Sequence, residues 1–184
     1  MLIKRNKGIM NLQIEKATPN DVTRLQEVSK TTFWEAFASV NTEEDMTKYL
    51  TESLSLEKLS VELTDENAAF YFATLEGDTI GYLKLNFGAS QTDIKDPNAT
   101  EIERIYILKA YQGQNIGQHL LDRAIEIARQ KEHQYIWLGV WEENRGAIRF
   151  YERNGFVAFG RHTFMLGNDE QKDVLMKLQL SDTP

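Results

Sequence analysis

The chain has 184 residues, 41% of them hydrophobic and 27% charged, which is enough for one domain with a proper core. Its 28 acids outnumber 21 bases for a net charge of −7, which argues against non-specific nucleic-acid binding and suits a cationic partner. Cysteine is absent, so disulfides, thiolate-bound zinc and a cysteinyl acyl intermediate are excluded. No apolar run nears the ~18 residues of a membrane span, so no membrane partner and a cytoplasmic compartment are expected.

In chain order, MLIKRNKGIM is basic but has no apolar core or small-residue cleavage site, so it does not read as a signal peptide. Residues 1–9 are expected to be a flexible extension, with a single folded domain over 10–184. LQIEKA (Leu12–Ala17) alternates as a first strand. Thr18-Pro19-Asn20-Asp21 is a helix start, with Thr18 as N-cap and Pro19 in the first turn. Two or three helices follow to about Leu63. AAFYFATLEGDTIGYLKLNF is a hairpin about Glu76-Gly77-Asp78, and GASQTDIKDPNA is a polar loop. TEIERIYIL is the next strand, and YIWLGVW is expected to be a central strand buried on both faces. NRGAIRFYERNG is a short helix ended by Gly155. The chain closes with a hairpin around Gly167-Asn168-Asp169-Glu170. This order predicts a mixed α/β sheet with helices on both faces.

Two stretches carry chemistry. In AYQGQNIGQHLL, Gln112, Gly113, Asn115 and Gly117 precede a helix whose buried stripe is Ile116, Leu120, Leu121, Ala124, Ile125 and Ala128. A helix N-terminus with unpaired N–H groups attracts an anion, and glycine lets the backbone approach it. The stretch fits neither the nucleotide P-loop, which needs Lys-Ser/Thr after the second glycine, nor the G-x-G-x-x-G dinucleotide motif. Thirty residues on, ENRGAIRFYERNGF places Asn144, Ala147, Ile148 and Tyr151 on one helix face. Asn144 is a natural N-cap, and Tyr151 lies about 10 Å further along the axis. Ala147 and Ile148 read as core.

QGQNIG followed by NRGAIRFYERNGF resembles the GNAT acetyl-CoA-dependent N-acetyltransferases. Together, IERIYI, IWLGVWEEN and AIRFYERNGF are similar to the bacterial spermine/spermidine N-acetyltransferases; the likeness spans about Glu101 to Phe156. One departure is Asn115, which stands where the family has a glycine. Asn tolerates the same left-handed backbone, so the turn should survive.

The resemblance implies a largely antiparallel sheet of about seven strands, splayed between the fourth and fifth. Backbone N–H groups across Gln112, Gly113, Gln114, Asn115, Ile116 and Gly117 would then hold the pyrophosphate of coenzyme A. Ile105, Tyr106 and Ile107 would pair with the pantetheine arm, Asn144 would hydrogen-bond it, and Tyr151 would sit by the thioester sulfur. No metal is implied, and a homodimer through the C-terminal strands would suit the family.

An alkylamine has a pKa near ~10.4, so acetyl transfer benefits from a general base. Alternation puts Glu101, Glu103, Ile105 and Ile107 on one face and Ile102, Arg104 and Tyr106 on the other. Glu103 is the candidate base, the role a glutamate on this strand often fills in the superfamily. Tyr151 is the candidate acid for the leaving thiolate, with attack direct in a ternary complex. Phe33, Trp34, Glu35, Phe37 and Tyr49 fall in the helices that cover the acceptor side. Trp34 and Glu35 are the candidate substrate residues for a small cationic amine, whereas Phe33 and Phe37 suit the core. Trp141 either lines the acyl pocket or packs, and His119 and His162 are assigned no role. Two other readings stand beside a polyamine acceptor: a protein N-terminus or lysine, and a non-catalytic acyl-CoA-binding module.

Overall fold

Strand pairing and two helical layers account for nearly all the large apolar positions. The computed structural model describes residues 2–5, 8–166 and 169–180. Among these, the strands are β1 (Leu2–Arg5), β2 (Gly8–Lys16), β3 (Ala68–Leu75), β4 (Asp78–Phe87), β5 (Ala99–Ile107), β6 (Tyr135–Trp141), β7 (Val157–Leu166) and β8 (Asp169–Gln179). The helices are α1 (Val22–Phe37), α2 (Glu43–Glu52), α3 (Leu56–Thr64), α4 (Ile116–Gln130) and α5 (Arg145–Arg153).

One sheet runs β1-β2-β3-β4-β5-β6-β8-β7. Every junction is antiparallel except β5–β6. The seven expected strands are β2 to β8, and the parallel junction falls between the fourth and fifth of them. β1 is an addition. Where an extension was expected over residues 1–9, Leu2–Arg5 pairs antiparallel with Gly8–Asn11 at the sheet edge. Of the terminal turn, Gly167 and Asn168 lie outside the described residues, while Asp169 and Glu170 already belong to β8.

Local chemistry explains the element ends. Thr18 and Asp21 close the start of α1: the Thr18 backbone N–H and hydroxyl both donate to Asp21 Oδ2, at 2.8 and 2.7 Å. Pro19 opens a 3-10 turn that leads into the helix. Thr42 and Ser55 cap α2 and α3 by accepting from the Asp45 and Lys58 N–H groups. The β3–β4 loop is Glu76-Gly77, both at positive φ, the geometry a two-residue hairpin needs.

Helices cover both faces of the sheet, so β3 and β4 are buried along nearly their whole length. On one face, α4 and α5 pack against Leu83, Leu85, Ile102, Ile136 and Leu138. The buried stripe of α4 is Ile116, Leu120, Leu121, Ala124, Ile127 and Ala128. Ile125, expected in that stripe, is only half-buried, and Ile127 takes its place. On the other face, Leu25, Val28, Phe33, Met46, Leu54 and Leu59 of the α1–α3 segment cover Phe70, Phe72 and Tyr82. Each fully buried Leu or Phe contributes roughly 1.5–3 kcal/mol.

Candidate active site

The parallel junction is short. β5 pairs with β6 only from Ala99–Tyr135 through Ile102–Leu138. On its other side, β5 stays paired with β4 as far as Ile107. Glu103 to Ile107 and Gly139 to Trp141 therefore leave their facing backbone edges unpaired, and a slot opens between the strands. This corrects the expectation for YIWLGVW. Burial on both faces holds only as far as Leu138; beyond it Gly139 is exposed and Trp141 half-buried, because the neighbouring strand has diverged.

One face of the slot presents backbone. Gly113 and Asn115 both take positive φ, +74 and +65, so the chain curls just before α4. Gln112 and Gln114 point their side-chain amides back to the carbonyls of Ile107 and Ala110, at 3.1 and 3.2 Å. That fastens the turn to the strand before it. Among the described residues, the N–H groups of Gly113, Gln114, Asn115, Ile116 and Gly117 have no protein acceptor. Such a concave run of N–H groups at the positive end of a helix dipole is built for an anion. A Cβ at Gly117 would lie 3.4 Å from Ile107 Cδ1, at van der Waals contact. Asn144 caps α5 by accepting from the Ala147 N–H at 3.1 Å, which leaves its Nδ2 to donate elsewhere.

Tyr151 is buried on α5 between Phe150 and Phe156. Its hydroxyl makes no hydrogen bond among the described residues. Burial pushes its pKa well up, so at neutral pH the hydroxyl keeps its proton. It is close enough to Tyr106 that ionisation of one would resist ionisation of the other.

The opposite face is built from side chains, and here the alternation expected for β5 fails. The β4–β5 register slips between Arg104 and Ile102, so Glu103 is a bulge residue. Ile102, Ile105 and Ile107 consequently all pack toward α4. Glu103 and Arg104 project together to the α1–α3 side, where Glu103 is held on every side. Arg104 lies 2.9 Å from its Oε1, and Lys84 and the Asn86 amide each lie 2.6 Å from its Oε2. Glu62 joins the network through both Arg104 nitrogens and Lys84. Burial pushes the Glu103 carboxyl up, but Arg104 and Lys84 outweigh it and hold the group below the usual range. A carboxylate so placed is an anchor of the network and a weak base. Glu101 is the reverse case: burial raises it against donation from Thr92 and Asn86.

Around that network stands an aromatic wall. Phe33 stacks on Tyr49 at 4.1 Å, contacts Phe37 at 4.6 Å, and meets Tyr106 edge-on. Phe37 reaches Trp141 at 6.3 Å, and Tyr106 stacks on Tyr82 at 6.0 Å. Phe33 is core, and Trp141 closes the wall at the end of β6. The two expected substrate residues part company. Trp34 stays 44% exposed on the far side of α1. The Glu35 carboxylate accepts from the Lys109 N–H at 2.7 Å and ties α1 to the chain leaving β5. Lys84, Glu62 and Asp173 went unnoticed in the sequence. A lysine inside YLKLNF was a legible signal, since a buried strand carries a cation only where anions meet it.

Comparison with known proteins agrees with this geometry. A family model described as the acetyltransferase (GNAT) family matches residues 30–156. An uncharacterized N-acetyltransferase from the pepI 3′ region of Lactobacillus delbrueckii subsp. lactis is 37% identical over 169 residues, 92% of this chain and 98% of that protein. A spermidine N(1)-acetyltransferase of Thermoplasma acidophilum is 28% identical over 151 residues, 80% of this chain and 89% of that one. The crystal structure of the PaiA N-acetyltransferase from Thermoplasma acidophilum with coenzyme A superposes with a TM-score of 0.75 at 25% identity, covering 92% and 99% of the two chains.

Proposed function

Given that the chain belongs to the GNAT acetyltransferase family and is an acetyl-CoA-dependent N-acetyltransferase, we propose that its acceptor is a primary amine of a polyamine such as spermine or spermidine. The observation that carries this reading is the asymmetry of the slot: free amides suited to an anion on one face, aromatic rings suited to a cation on the other. A net charge of −7 and relatives named spermidine and spermine N-acetyltransferases support it.

The residues present fit coenzyme A. Gly113 to Gly117 supply the amides for its pyrophosphate, while the Gln112 N–H, expected among them, is taken by the Lys109 carbonyl at 3.3 Å; the free edge of Ile105 to Ile107 pairs with the pantetheine arm, and Asn144 Nδ2 donates to it. Acetyl-CoA supplies an activated acyl group. The neutral amine nitrogen bonds to the thioester carbonyl carbon, the C–S bond breaks, Tyr151 gives its proton to the departing thiolate, and the proton the nitrogen sheds restores Tyr151.

The test is release of coenzyme A, read with a thiol reagent, from acetyl-CoA and a panel of spermine, spermidine, putrescine, lysine, an aminoglycoside and a basic peptide. With no cysteine, the protein adds no background. Release that depends on spermine or spermidine supports the proposal. Silence with those two, while acetyl-CoA still raises the melting temperature, removes the polyamine assignment and leaves the cofactor site. Tyr151→Phe should lower kcat by about 10²- to 10⁴-fold with acetyl-CoA binding intact.

A further inference from the structure

The slot has a second carboxylate, and no hydrogen bond or ion pair holds it among the described residues. Asp173 lies on β8 in a cross-strand row between Trp141 of β6 and His162 of β7. Its Oδ2 is 3.2 Å from where a Cβ on Gly139 would stand. Gly139 is the first residue of β6 beyond the last β5 pair, so it lies at the mouth of the slot. A side chain at 139 would crowd the Asp173 carboxylate, which leans over this strand. Its flanking positions are covered: Gln171 donates to Asn41 Oδ1 at 3.0 Å, and Leu175 packs with Trp137. His162, its cross-strand neighbour, is drawn to Asp93 at 3.1 Å.

Among the described residues, Asp173 therefore accepts no hydrogen bond and makes no ion pair. A half-buried carboxylate without a partner is costly in the free protein, and a ligand cation would offset that cost. Across the slot, Glu103 already has two cations and an amide. From this contrast we infer that Asp173, not Glu103, receives the acceptor's ammonium group and takes its proton.

The inference rests on the amine acetyltransferase reading above. The ammonium gives one proton to Asp173, and the neutral nitrogen attacks the thioester carbonyl. The C–S bond breaks, Tyr151 protonates the thiolate, and the nitrogen's second proton restores Tyr151. Asp173 then releases its proton to solvent, so atoms and charge balance. Burial holds the Asp173 carboxyl above its usual range, which makes it the better base of the two, although His162 opposes the shift. The other charges on the surrounding elements are Asp93 beside His162, the Arg161–Glu142 pair, Lys172 and Lys177 of β8, and Glu103 with Lys84 and Arg104.

The experiment compares wild type, Asp173→Asn and Glu103→Gln with spermidine across pH, with the acetyl-CoA-induced melting shift as a check on folding. Asp173→Asn should lower kcat/KM for spermidine by about 10²- to 10⁴-fold and flatten its acid limb, leaving the acetyl-CoA shift unchanged. A rate within threefold of wild type, with the acid limb intact, overturns the inference. The second readout needs no turnover. The ¹³C carboxyl signal of Asp173, assigned by its loss in Asp173→Asn, should titrate above the usual carboxylate range and move down when spermidine and coenzyme A are added. An Asp173 that titrates normally and ignores spermidine also overturns it. Wild type that acetylates no amine on the panel, with the Asp173 signal still responding to spermidine, defeats the polyamine acetylation reading alone.

Discussion

The two faces of the sheet line the slot with opposite materials. Toward α4 and α5 the slot is lined by backbone: free N–H groups, an unpaired strand edge and two residues at positive φ, over a core of aliphatic side chains. Toward α1 to α3 it is lined by Glu62, Lys84, Glu103 and Arg104 within a wall of rings. A backbone site tolerates side-chain change as long as the turn keeps its shape. A side-chain site depends on each partner, because removing one strands the others in a poorly solvated place. Substitutions on the two faces should therefore differ in kind as well as in size.

The largest stability effect is expected from Lys84→Met. It keeps the packing against Phe70 but leaves Glu62 and Glu103 to share Arg104, at a cost of about 3–5 kcal/mol in urea unfolding. A loss under about 1 kcal/mol would show that the network is screened by solvent. Its pH dependence has a definite sign. The Glu103 carboxyl is held below its usual value of 4.5, so its contribution is present above that pH and lost as pH falls through the folded value. Wild type should lose stability on acidification below about pH 4.5, and Lys84→Met should show a shallower slope there.

A middle-sized effect is expected where both faces share a strand. At Gly81 a Cβ would stand 2.6 Å from the Tyr106 carbonyl oxygen, so Gly81→Ala must push β4 from β5. Its expected cost is about 1–3 kcal/mol in urea unfolding, together with weaker acetyl-CoA binding, since the free edge of β5 moves with it. The smallest effect belongs to the backbone face. Asn115→Gly relieves a left-handed residue but gains freedom in the unfolded chain, so a net change within about 0.5 kcal/mol is expected. Acetyl-CoA affinity, measured by calorimetry, should hold or tighten. Marked weakening would mean that the Asn115 side chain itself contributes to binding.

Much of this protein is legible in its sequence, and the two faces divide along the same line. The glycine turn, the α4 stripe, the Asn144 cap and the β3–β4 hairpin are local: each depends on residues within about seven positions of one another. Periodicity and turn chemistry report such features directly, and Asn115 took the left-handed backbone expected of it. The order of elements likewise pointed to a mixed sheet with helices on both faces, and a parallel pair needs a crossover such as α4; the splay was implied only by the family resemblance.

What only the tertiary structure decided lies on the other face. Strict alternation placed Glu103 with Ile105 and Ile107, but a bulge is a mismatch between two strands and leaves no mark in the period of one. Glu35 was read as a substrate residue, yet its partner is an N–H 74 residues away. Asp173 carries no signal of its own in the sequence, since Gly139, over which its carboxylate leans, lies in another strand. Charge chemistry depends on which groups meet, and in this fold those groups come from β4, β5, β8 and α3. The local sequence specifies the glycine turn; the charged network exists only once the sheet has closed.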